Sequence, residues 1–495
     1  MLQDPAALYQ ALASRDPRFD GVFFVGVTST GIYCRPVCPA RTPRAANCRF
    51  FPSAELAERA HFRPCLRCRP ELAPGNAPAD DPHRIASLVA QRIDEGMLHD
   101  GAGLEQVARR FGWSSRQIRR VVQKELGVSP IELVLTRRLL LAKQLLTETT
   151  LPVGEIALAS GFSSLRRFND AFSRRYRMPP SRYRQSARAS VSADAVADTL
   201  QLQLSYRAPF DWEALLRFLA ARALAGVERV TDEAYLRTVA LGPRGRGWLH
   251  VRNRPDQRTL MVELSHSLTP VLPALLGRLR HLFDLSARPE LIADRLSRDP
   301  VLAAGVAQHP GLRVPGAFDA FELAVRAILG QQVTVKSATT LAGRFVAAFG
   351  EPIETPHAGL DRLAPTPARI AAATVGEVAS LGIVQARARS IIALAREVRD
   401  GRLLLEPGGD PERTIAQLVA LPGIGPWTAQ YIALRALRWP DAFPREDVVL
   451  RKVLGGVTAA RAEELSQRWR PWRGYATLHL WHGAGPAISK RTSEA

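Results

Sequence analysis

The stretch LPGIGPWTAQYIALRAL (residues 421–437) decides how the second half of the chain folds. Its opening Leu-Pro-Gly-Ile-Gly predicts a turn that ends one helix and starts another, because glycine tolerates the backbone angles of such turns. The first N–H groups of the second helix have no partner within that helix and are able to bind a DNA phosphate. We therefore expect three residues of this hairpin to contact DNA: Gly423, Gly425 and Thr428. Taken alone, the Pro-Gly-Ile-Gly fragment would also suit an ordinary turn.

Acidic residues follow the hairpin at the start of a further predicted helix. They are Glu446 and Asp447 in the stretch FPREDVVLRK (443–452). A glycine hairpin followed by an aspartate at this distance is similar to the signature of the helix-hairpin-helix base-excision glycosylases. By its position in that signature Asp447 is the reactive carboxylate, whereas Glu446 suits an acid that only stabilises the positive end of a helix.

Residues 199–485 resemble the AlkA type of glycosylase, 3-methyladenine glycosylase II, almost throughout. The matching stretches besides the hairpin are FLAARA (218–223), FELAVRAILGQQVTV (321–335) and PWRGYATLHLWH (471–482). The resemblance implies an α+β subdomain over residues 199–285 and an all-α helix-hairpin-helix domain over residues 286–490.

The same resemblance implies a reaction, the hydrolytic excision of alkylated purines such as 3-methyladenine and 7-methylguanine. Asp447 would stabilise the positive charge that develops on the deoxyribose. Electron-rich rings attract a cationic base, and four aromatic residues fall on the family's pocket positions: Trp427, Tyr431, Trp481 and, less closely, Phe218. Gln332 falls on the position of the DNA wedge, where an apolar side chain is commoner.

The residue just after the hairpin predicts the product. Glycosylases that also nick the strand place a Schiff-base lysine there, whereas this chain has Trp427. We therefore expect a monofunctional enzyme that leaves an intact abasic strand.

The five cysteines of the chain all lie between residues 34 and 68. Cys34 and Cys38 form one short-spaced pair and Cys65 and Cys68 a second, which suits tetrahedral Zn²⁺ held by four thiolates. Cys48 has no partner at short spacing, and we interpret it as a spare or buried thiol. An odd number of cysteines without an export signal argues against a disulfide framework.

The stretches around the two cysteine pairs closely resemble the amino-terminal domain of the Ada methylation-response protein. They are TSTGIYCRPVCPAR (28–41) and FRPCLRCRP (62–70). The resemblance covers a domain that we place at residues 1–75, and it implies that Cys34 accepts a methyl group from a methylated backbone phosphate. Methylation of one sulfur would lessen the repulsion between the site and DNA phosphates. Four arginines lie nearby to exploit that change in charge: Arg35, Arg63, Arg67 and Arg69. A purely structural zinc site is the alternative.

A helical segment at residues 83–185 contains an internal repeat. EQVARRFGWSSRQIRRVVQKELGVSP (105–130) matches GEIALASGFSSLRRFNDAFSRRYRMPP (154–180), and each copy predicts a helix, a glycine-containing turn and a serine-capped second helix. Such second helices enter the major groove, and the arginines that we expect there are Arg116, Arg119, Arg166 and Arg167. A helical bundle with solvated arginines is the alternative.

The repeat segment resembles the paired helix-turn-helix domain of AraC-type transcription regulators. The resemblance implies promoter DNA as a partner, and RNA polymerase as well if the protein is an activator.

The chain as a whole is strongly basic, with a net charge of +20 and a pI near 10.7, and its basic residues are mostly arginine. Such a surface fits a polyanionic partner. No apolar run approaches the roughly 18–20 residues of a membrane span. The start, MLQDPAALYQ, lacks the pattern of a signal peptide. We therefore expect a cytoplasmic, nucleoid-associated protein without a membrane partner.

These observations predict a multidomain protein that is mainly α with α+β parts. Polar stretches at residues 71–82 and 185–198 predict linkers on either side of the helix-turn-helix segment. The combined expectation is an alkylation-damage protein that joins a methyl sensor, a transcription regulator and a glycosylase acting on double-stranded DNA. The alternatives are a regulator whose glycosylase-like half only binds DNA or a ligand, and a zinc-responsive repressor.

Overall fold

The computed structural model describes residues 5–15, 20, 23–51, 54–70, 113–187, 199–243, 245–405 and 410–483, with a few separate positions between 85 and 108. The predicted linker at 71–82, most of the linker at 185–198 and most of the first helix of the repeat lie outside the described residues. The chain forms two compact units, residues 1–92 with 100–133 and residues 93–99 with 134–495.

The first unit contains a small four-stranded sheet in the order β3-β1-β2-β4. Its helices and strands are α1 (Pro5–Ala13), β1 (Phe24–Val27), β2 (Ile32–Cys34), β3 (Cys48–Phe51), α2 (Ala54–Arg59) and β4 (Arg63–Pro64). Strand β1 pairs antiparallel with β2 and β3, whereas β2 and β4 are parallel, with Tyr33 opposite Pro64. Because Cys34 and Cys65 are the next residues of these parallel strands, the pairing brings the two cysteine pairs together.

Helix α3 (Ser115–Leu126) also belongs to the first unit and is the second helix of the first repeat. Ser114 caps it as predicted, because its hydroxyl accepts from the N–H of Gln117 while the Gln117 side chain accepts from the N–H of Ser114. The helix ends at Gly127, whose φ of +75° requires a left-handed backbone.

The second repeat lies in the second unit. It consists of α5 (Val153–Ala159) and α6 (Leu165–Tyr176), joined by a turn in which Gly161 has a φ of +85°. Helix α4 (Pro130–Glu148) crosses the boundary between the units, and α7 (Pro180–Ala187) follows the repeat.

A five-stranded antiparallel sheet in the order β5-β9-β8-β7-β6 follows. Its strands, with one helix, are β5 (Thr199–Ser205), α8 (Trp212–Ala220), β6 (Glu228–Val230), β7 (Ala234–Leu241), β8 (Gly245–Arg254) and β9 (Thr259–Ser265). This is the α+β segment expected from the sequence.

Helix α4 covers the free edge of this sheet. The side chain of Gln144 donates to the backbone oxygen of Gln203 on β5 over 2.8 Å, and the N–H of Gln203 donates to Glu148 over 3.1 Å. One hydrophobic core joins the second repeat to the sheet, because Leu145, Phe168 and Leu202 belong to the same buried cluster. The second repeat and the sheet are therefore packed together rather than joined only through a chain connection.

The remainder of the second unit is helical, as predicted. Its helices are α9 (Leu272–Leu282), α10 (Pro289–Leu296), α11 (Ala303–Gln308), α12 (Ala320–Leu329), α13 (Val335–Phe349), α14 (Pro367–Ala371), α15 (Val375–Ala379), α16 (Gln385–Arg399), α17 (Pro411–Val419), α18 (Pro426–Arg435), α19 (Val448–Val453), α20 (Ala459–Ser466) and α21 (Arg473–Gly483). The expected multidomain, mainly helical fold with small sheets is confirmed. Among the described helices none is long and apolar enough to cross a membrane.

Candidate active site and metal centre

Asp447 lies at the centre of the candidate active site, as the N-cap of α19. Its side chain is only 8% exposed. Oδ1 accepts from the N–H of Leu450 at 2.9 Å and from the indole Nε1 of Trp481 at 3.1 Å, and Oδ2 accepts from the indole Nε1 of Trp427 at 2.8 Å. Three neutral donors thus hold both carboxylate oxygens in place.

The same two tryptophans belong to an aromatic group beside the carboxylate. Trp427 and Tyr431 are one turn apart on α18, and their rings are stacked at 5.4 Å with 10° between the planes. Trp481, from α21, lies 6.3 Å from the ring of Tyr431. The structure therefore brings together Asp447 and three of the predicted pocket residues.

Phe218 on α8 reaches this group through Arg435. The guanidinium carbon of Arg435 is 4.9 Å from the ring centroid of Phe218 and 5.6 Å from that of Tyr431. Nη1 of Arg435 donates to the Tyr431 hydroxyl over 2.8 Å. Burial alone would raise the pKa of the Tyr431 hydroxyl, but Arg435 and Arg222 outweigh it, so that its pKa falls below the usual value.

The hairpin before α18 has the predicted glycine turn. Gly423 has a φ of +75°, and a Cβ at this position would lie 2.3 Å from Oγ of Ser390, so both backbone angle and space require glycine. Gly425 is the N-cap of α18 and has no side chain to occupy the first N–H groups of the helix. Thr428 is 2% exposed and its hydroxyl accepts from Gln331, so its side chain is not presented to solvent for a DNA contact.

Gln332 is exposed on the loop after α12, and its backbone has a φ of +53°. The neighbouring Gln331, which sequence reasoning missed, connects this loop to the hairpin. The only sequence signal for it is its place beside Gln332, because the partners of its side chain lie more than ninety residues further along the chain.

The predicted major-groove arginines lie on the second helices of the two repeats. Arg116 and Arg119 are exposed on α3, and Arg166 and Arg167 are exposed at the start of α6. Ile118 and Phe168 occupy the opposite, buried faces of these helices. Each second helix therefore buries its apolar face and exposes its arginines.

The four predicted metal ligands form one cluster in the first unit. The sulfur atoms of Cys34, Cys38, Cys65 and Cys68 all lie within 4.8 Å of one another. Cys34 is half-buried and the other three are buried. Cys48 lies apart on β3, where its thiol donates to the backbone oxygen of Arg44 over 3.4 Å, in line with the prediction that it is a spare thiol.

The close packing of these four sulfur atoms supports a cation as their partner. Hydrogen bonds from Cys34 and Cys68 lower the pKa of Cys38. The shared hydrogen bonds and burial raise the pKa of Cys34 far above its ordinary value. Four packed sulfur atoms cannot all be thiolates without a nearby positive charge, and Zn²⁺ supplies that charge for a four-cysteine set.

A cavity of about 580 Å³ lies next to Cys34, and Arg41, Arg63 and Arg67 line it as well. Arg35, the first of the four arginines expected near the metal site, is fully buried, and its guanidinium forms an ion pair with Asp20. Arg35 has a structural role at the cysteine cluster, because its backbone N–H donates to the sulfur of Cys68 over 3.4 Å.

Four family models match the chain in the expected order. They are the metal binding domain of Ada (residues 7–71), a helix-turn-helix domain (107–186), the AlkA N-terminal domain (201–319) and the HhH-GPD superfamily of base excision DNA repair proteins (325–472). These matches confirm the predicted resemblances.

Curated relatives and a solved structure agree with the family models. The chain is 42% identical over 486 residues to a probable bifunctional transcriptional activator/DNA repair enzyme AlkA of Mycobacterium tuberculosis, covering 97% of both chains. It is 39% identical over 282 residues to DNA-3-methyladenine glycosylase 2 of Escherichia coli, covering 57% of this chain and 97% of the relative.

The fold of the second half is also that of a 3-methyladenine DNA glycosylase from Archaeoglobus fulgidus. The TM-score is 0.50 at 21% identity, covering 57% of this chain and 98% of the other. The chain belongs to the family of bifunctional transcriptional activator/DNA repair enzymes of the AlkA type, and its second half to the DNA-3-methyladenine glycosylases.

Proposed function

We propose that this chain repairs and reports DNA alkylation at two separate sites. Asp447 serves the hydrolytic excision of alkylated purines such as 3-methyladenine and 7-methylguanine, and Cys34 accepts a methyl group from a methylated backbone phosphate. The observation that carries the excision reaction is the anchoring of Asp447 by the indole N–H groups of Trp427 and Trp481.

In the excision reaction the bond between C1′ of the deoxyribose and the purine nitrogen breaks, and its electron pair goes to the base. A cationic N-methylpurine leaves as a neutral molecule, so it needs little help from a general acid. Asp447 stabilises the positive charge on the sugar, water adds to C1′, and the water proton is released. No lysine stands at the hairpin to form a Schiff base, and the product is therefore an intact abasic strand.

The aromatic group beside Asp447 receives the extruded base. Trp427 and Tyr431 present stacked rings, and Trp481 presents a third. A base must leave the helical stack to reach this place, and Gln332, exposed on its loop, fills the gap in the duplex. The hairpin that contains Gly423 and Gly425 binds a DNA phosphate through the backbone N–H groups at the start of α18.

In the methyl transfer a bond forms between Sγ of Cys34 and the methyl carbon while the bond between that carbon and the phosphate oxygen breaks. The phosphodiester leaves as an anion, and no further reactant is needed. Cys34, Cys38, Cys65 and Cys68 would hold Zn²⁺, which keeps thiolates deprotonated at neutral pH. Cys34 suits the role of acceptor because it is half-buried whereas Cys38, Cys65 and Cys68 are buried. Cys38 and Cys65 line the cavity as well, so exposure and not the cavity distinguishes Cys34.

Methyl transfer also changes the charge of the first unit. Four thiolates with one divalent cation carry a charge of about −2, and methylation of one sulfur leaves about −1. The methylated form then repels DNA phosphates less and binds its promoter more tightly. RNA polymerase is the further partner that we propose for activation, and work on DNA at both sites would associate the protein with the nucleoid.

The decisive experiment compares base release from methylated duplex DNA by the full chain and by Asp447→Asn. We expect the variant to lose on the order of 10²–10⁴ in rate. Glu446→Gln is the matched control because its carboxylate pairs with Arg445 instead, and it should keep the rate. Equal rates for Asp447→Asn and the wild type would contradict the mechanism. Absence of base release by the wild type would favour a regulator whose second half only binds.

A further inference from the structure

Gln331 connects the loop that carries Gln332 to the phosphate-binding hairpin. Its side-chain Nε2 donates to the backbone oxygen of Gly423 at 2.8 Å and to Oγ1 of Thr428 at 3.0 Å. Both N–H bonds of the amide are thereby used. One side chain thus bridges the turn of the hairpin and the first turn of α18.

The backbone of the same loop is held from the other side. The guanidinium of Arg387, on α16, donates to the backbone oxygen of Gln331. The next residue, Gln332, has a φ of +53°, a left-handed conformation that is uncommon for a residue other than glycine, asparagine or aspartate. Such a conformation persists where the surrounding contacts hold it, and here they come from both the hairpin and α16.

We infer that Gln331 is a positioning residue that fixes the amide of Gln332 at the place of the extruded base, where that amide hydrogen-bonds the base left unpaired opposite the lesion. The inference rests on the proposed function, in which the hairpin grips a phosphate and Gln332 enters the duplex. A glutamine amide both donates and accepts, whereas an apolar wedge only fills space. Excision should therefore depend on the identity of the opposite base.

The connection to the hairpin makes this dependence possible. Without this connection, the loop that carries Gln332 and the hairpin that binds a phosphate would move independently. The Gln332 amide would then be poorly positioned for hydrogen bonding to any of the four opposite bases. A displacement of about 1 Å is enough to weaken a positioned contact. With Gln331 in place, the two DNA contacts act on the duplex as one rigid piece.

The test uses the full-length protein and duplexes that contain one 7-methylguanine opposite each of the four bases in turn. Single-turnover excision by the wild type should differ at least about fivefold between the best and the worst opposite base. Gln332→Leu should reduce this difference to less than about twofold while base release continues. A wild type that excises all four duplexes at the same rate would overturn the inference, whereas a wild type that excises none would refute the proposed function instead.

A second variant isolates Gln331. Gln331→Glu keeps the size of the side chain but points an oxygen at the backbone oxygen of Gly423, so the hydrogen bond to the turn of the hairpin is lost, although the Thr428 hydroxyl is able to donate to the new carboxylate. We expect the opposite-base difference to disappear as in Gln332→Leu, with a drop of about tenfold in the fluorescence-detected extrusion of a 2-aminopurine reporter beside the lesion. Gln331→Met, which only removes the hydrogen bonds, replaces it if the first variant unfolds early in thermal melting. An unchanged opposite-base difference and unchanged extrusion in the folded variant would overturn the role of Gln331.

Discussion

Trp427 donates its indole N–H to Oδ2 of Asp447 over 2.8 Å, and it is the same ring that stacks on Tyr431. One side chain therefore both orients the carboxylate and belongs to the aromatic group beside it. In the proposed mechanism this arrangement would couple recognition to chemistry, because a base stacked against Trp427 would lie beside the carboxylate that stabilises its sugar.

Trp481 allows the two roles of an indole to be separated. Trp481→Phe keeps an aromatic face but removes the N–H that reaches Oδ1 of Asp447. We expect it to lower the single-turnover rate about tenfold with little effect on binding of an abasic-site analogue, since a hydrogen bond to a charged group contributes about 1.5–3 kcal/mol. Trp481→Ala should lose the stacking face as well, about 1–3 kcal/mol. A phenylalanine variant with wild-type rate would show that the N–H is dispensable.

Zinc binding should require the four clustered cysteines and not the fifth, Cys48. Purified protein should hold one Zn²⁺ per chain, Cys38→Ser should lose it, and Cys48→Ser should keep it because that thiol lies apart on β3. Emission spectrometry of the purified variants measures the zinc content per chain.

After incubation with methylated DNA, peptide mass spectrometry should find the added methyl group on Cys34. A methyl group found only on Cys38 would refute the choice of acceptor.

The exposed arginines of the second helices should contribute to promoter binding without affecting repair. Arg116→Ala and Arg166→Ala should weaken binding to the operator and reduce the slope of its salt dependence, because each removes a phosphate or base contact. Excision from short duplexes without an operator should stay at the wild-type level. Unchanged operator affinity in both variants would assign DNA binding to another surface.

The pKa of Tyr431 should depend on Arg435. The Arg435 guanidinium, with that of Arg222, favours the charged phenolate and lowers the pKa, against the effect of burial. Arg435→Met removes one of these charges together with the hydrogen bond to the Tyr431 hydroxyl, and we therefore expect the pKa of Tyr431 to rise from its value in the wild type. Ultraviolet absorbance titration, compared with Tyr431→Phe to identify the signal, measures the shift. Arg461→Met, at an exposed position, is the control and should leave the titration unchanged.

The second repeat and the five-stranded sheet should unfold together. Glu148→Ala removes the acceptor of the part-buried Gln203 N–H at the sheet edge, and an N–H left unpaired costs up to about 1–3 kcal/mol. We expect denaturant unfolding to shift to lower concentration for probes in both parts, whereas Glu354→Ala, at an exposed position outside the helices, should leave the midpoint unchanged. Separate transitions for the helices and the sheet would contradict a shared core.

The amino-acid sequence alone determined the order of the domains, which the four family models match. The spacing of Cys34, Cys38, Cys65 and Cys68 predicted their clustering. The hairpin predicted a glycine turn, because both are local patterns in which structure depends on neighbours in the chain. Periodicity likewise predicted β5, α8, β8 and β9, whereas β6 and β7 were missed.

Only the tertiary structure decided which distant residues act on one another. Gln331 meets the hairpin, Arg435 meets Phe218, and Glu148 meets the edge of β5, each across a separation that no local pattern records. Arg35 is a further example. It follows Cys34 in the sequence, but its guanidinium is buried in an ion pair with Asp20 and is therefore not available to DNA. The physical reason is the same throughout: patterns along the chain fix which side chains are available, whereas packing between segments far apart in sequence fixes their partners, burial and charge.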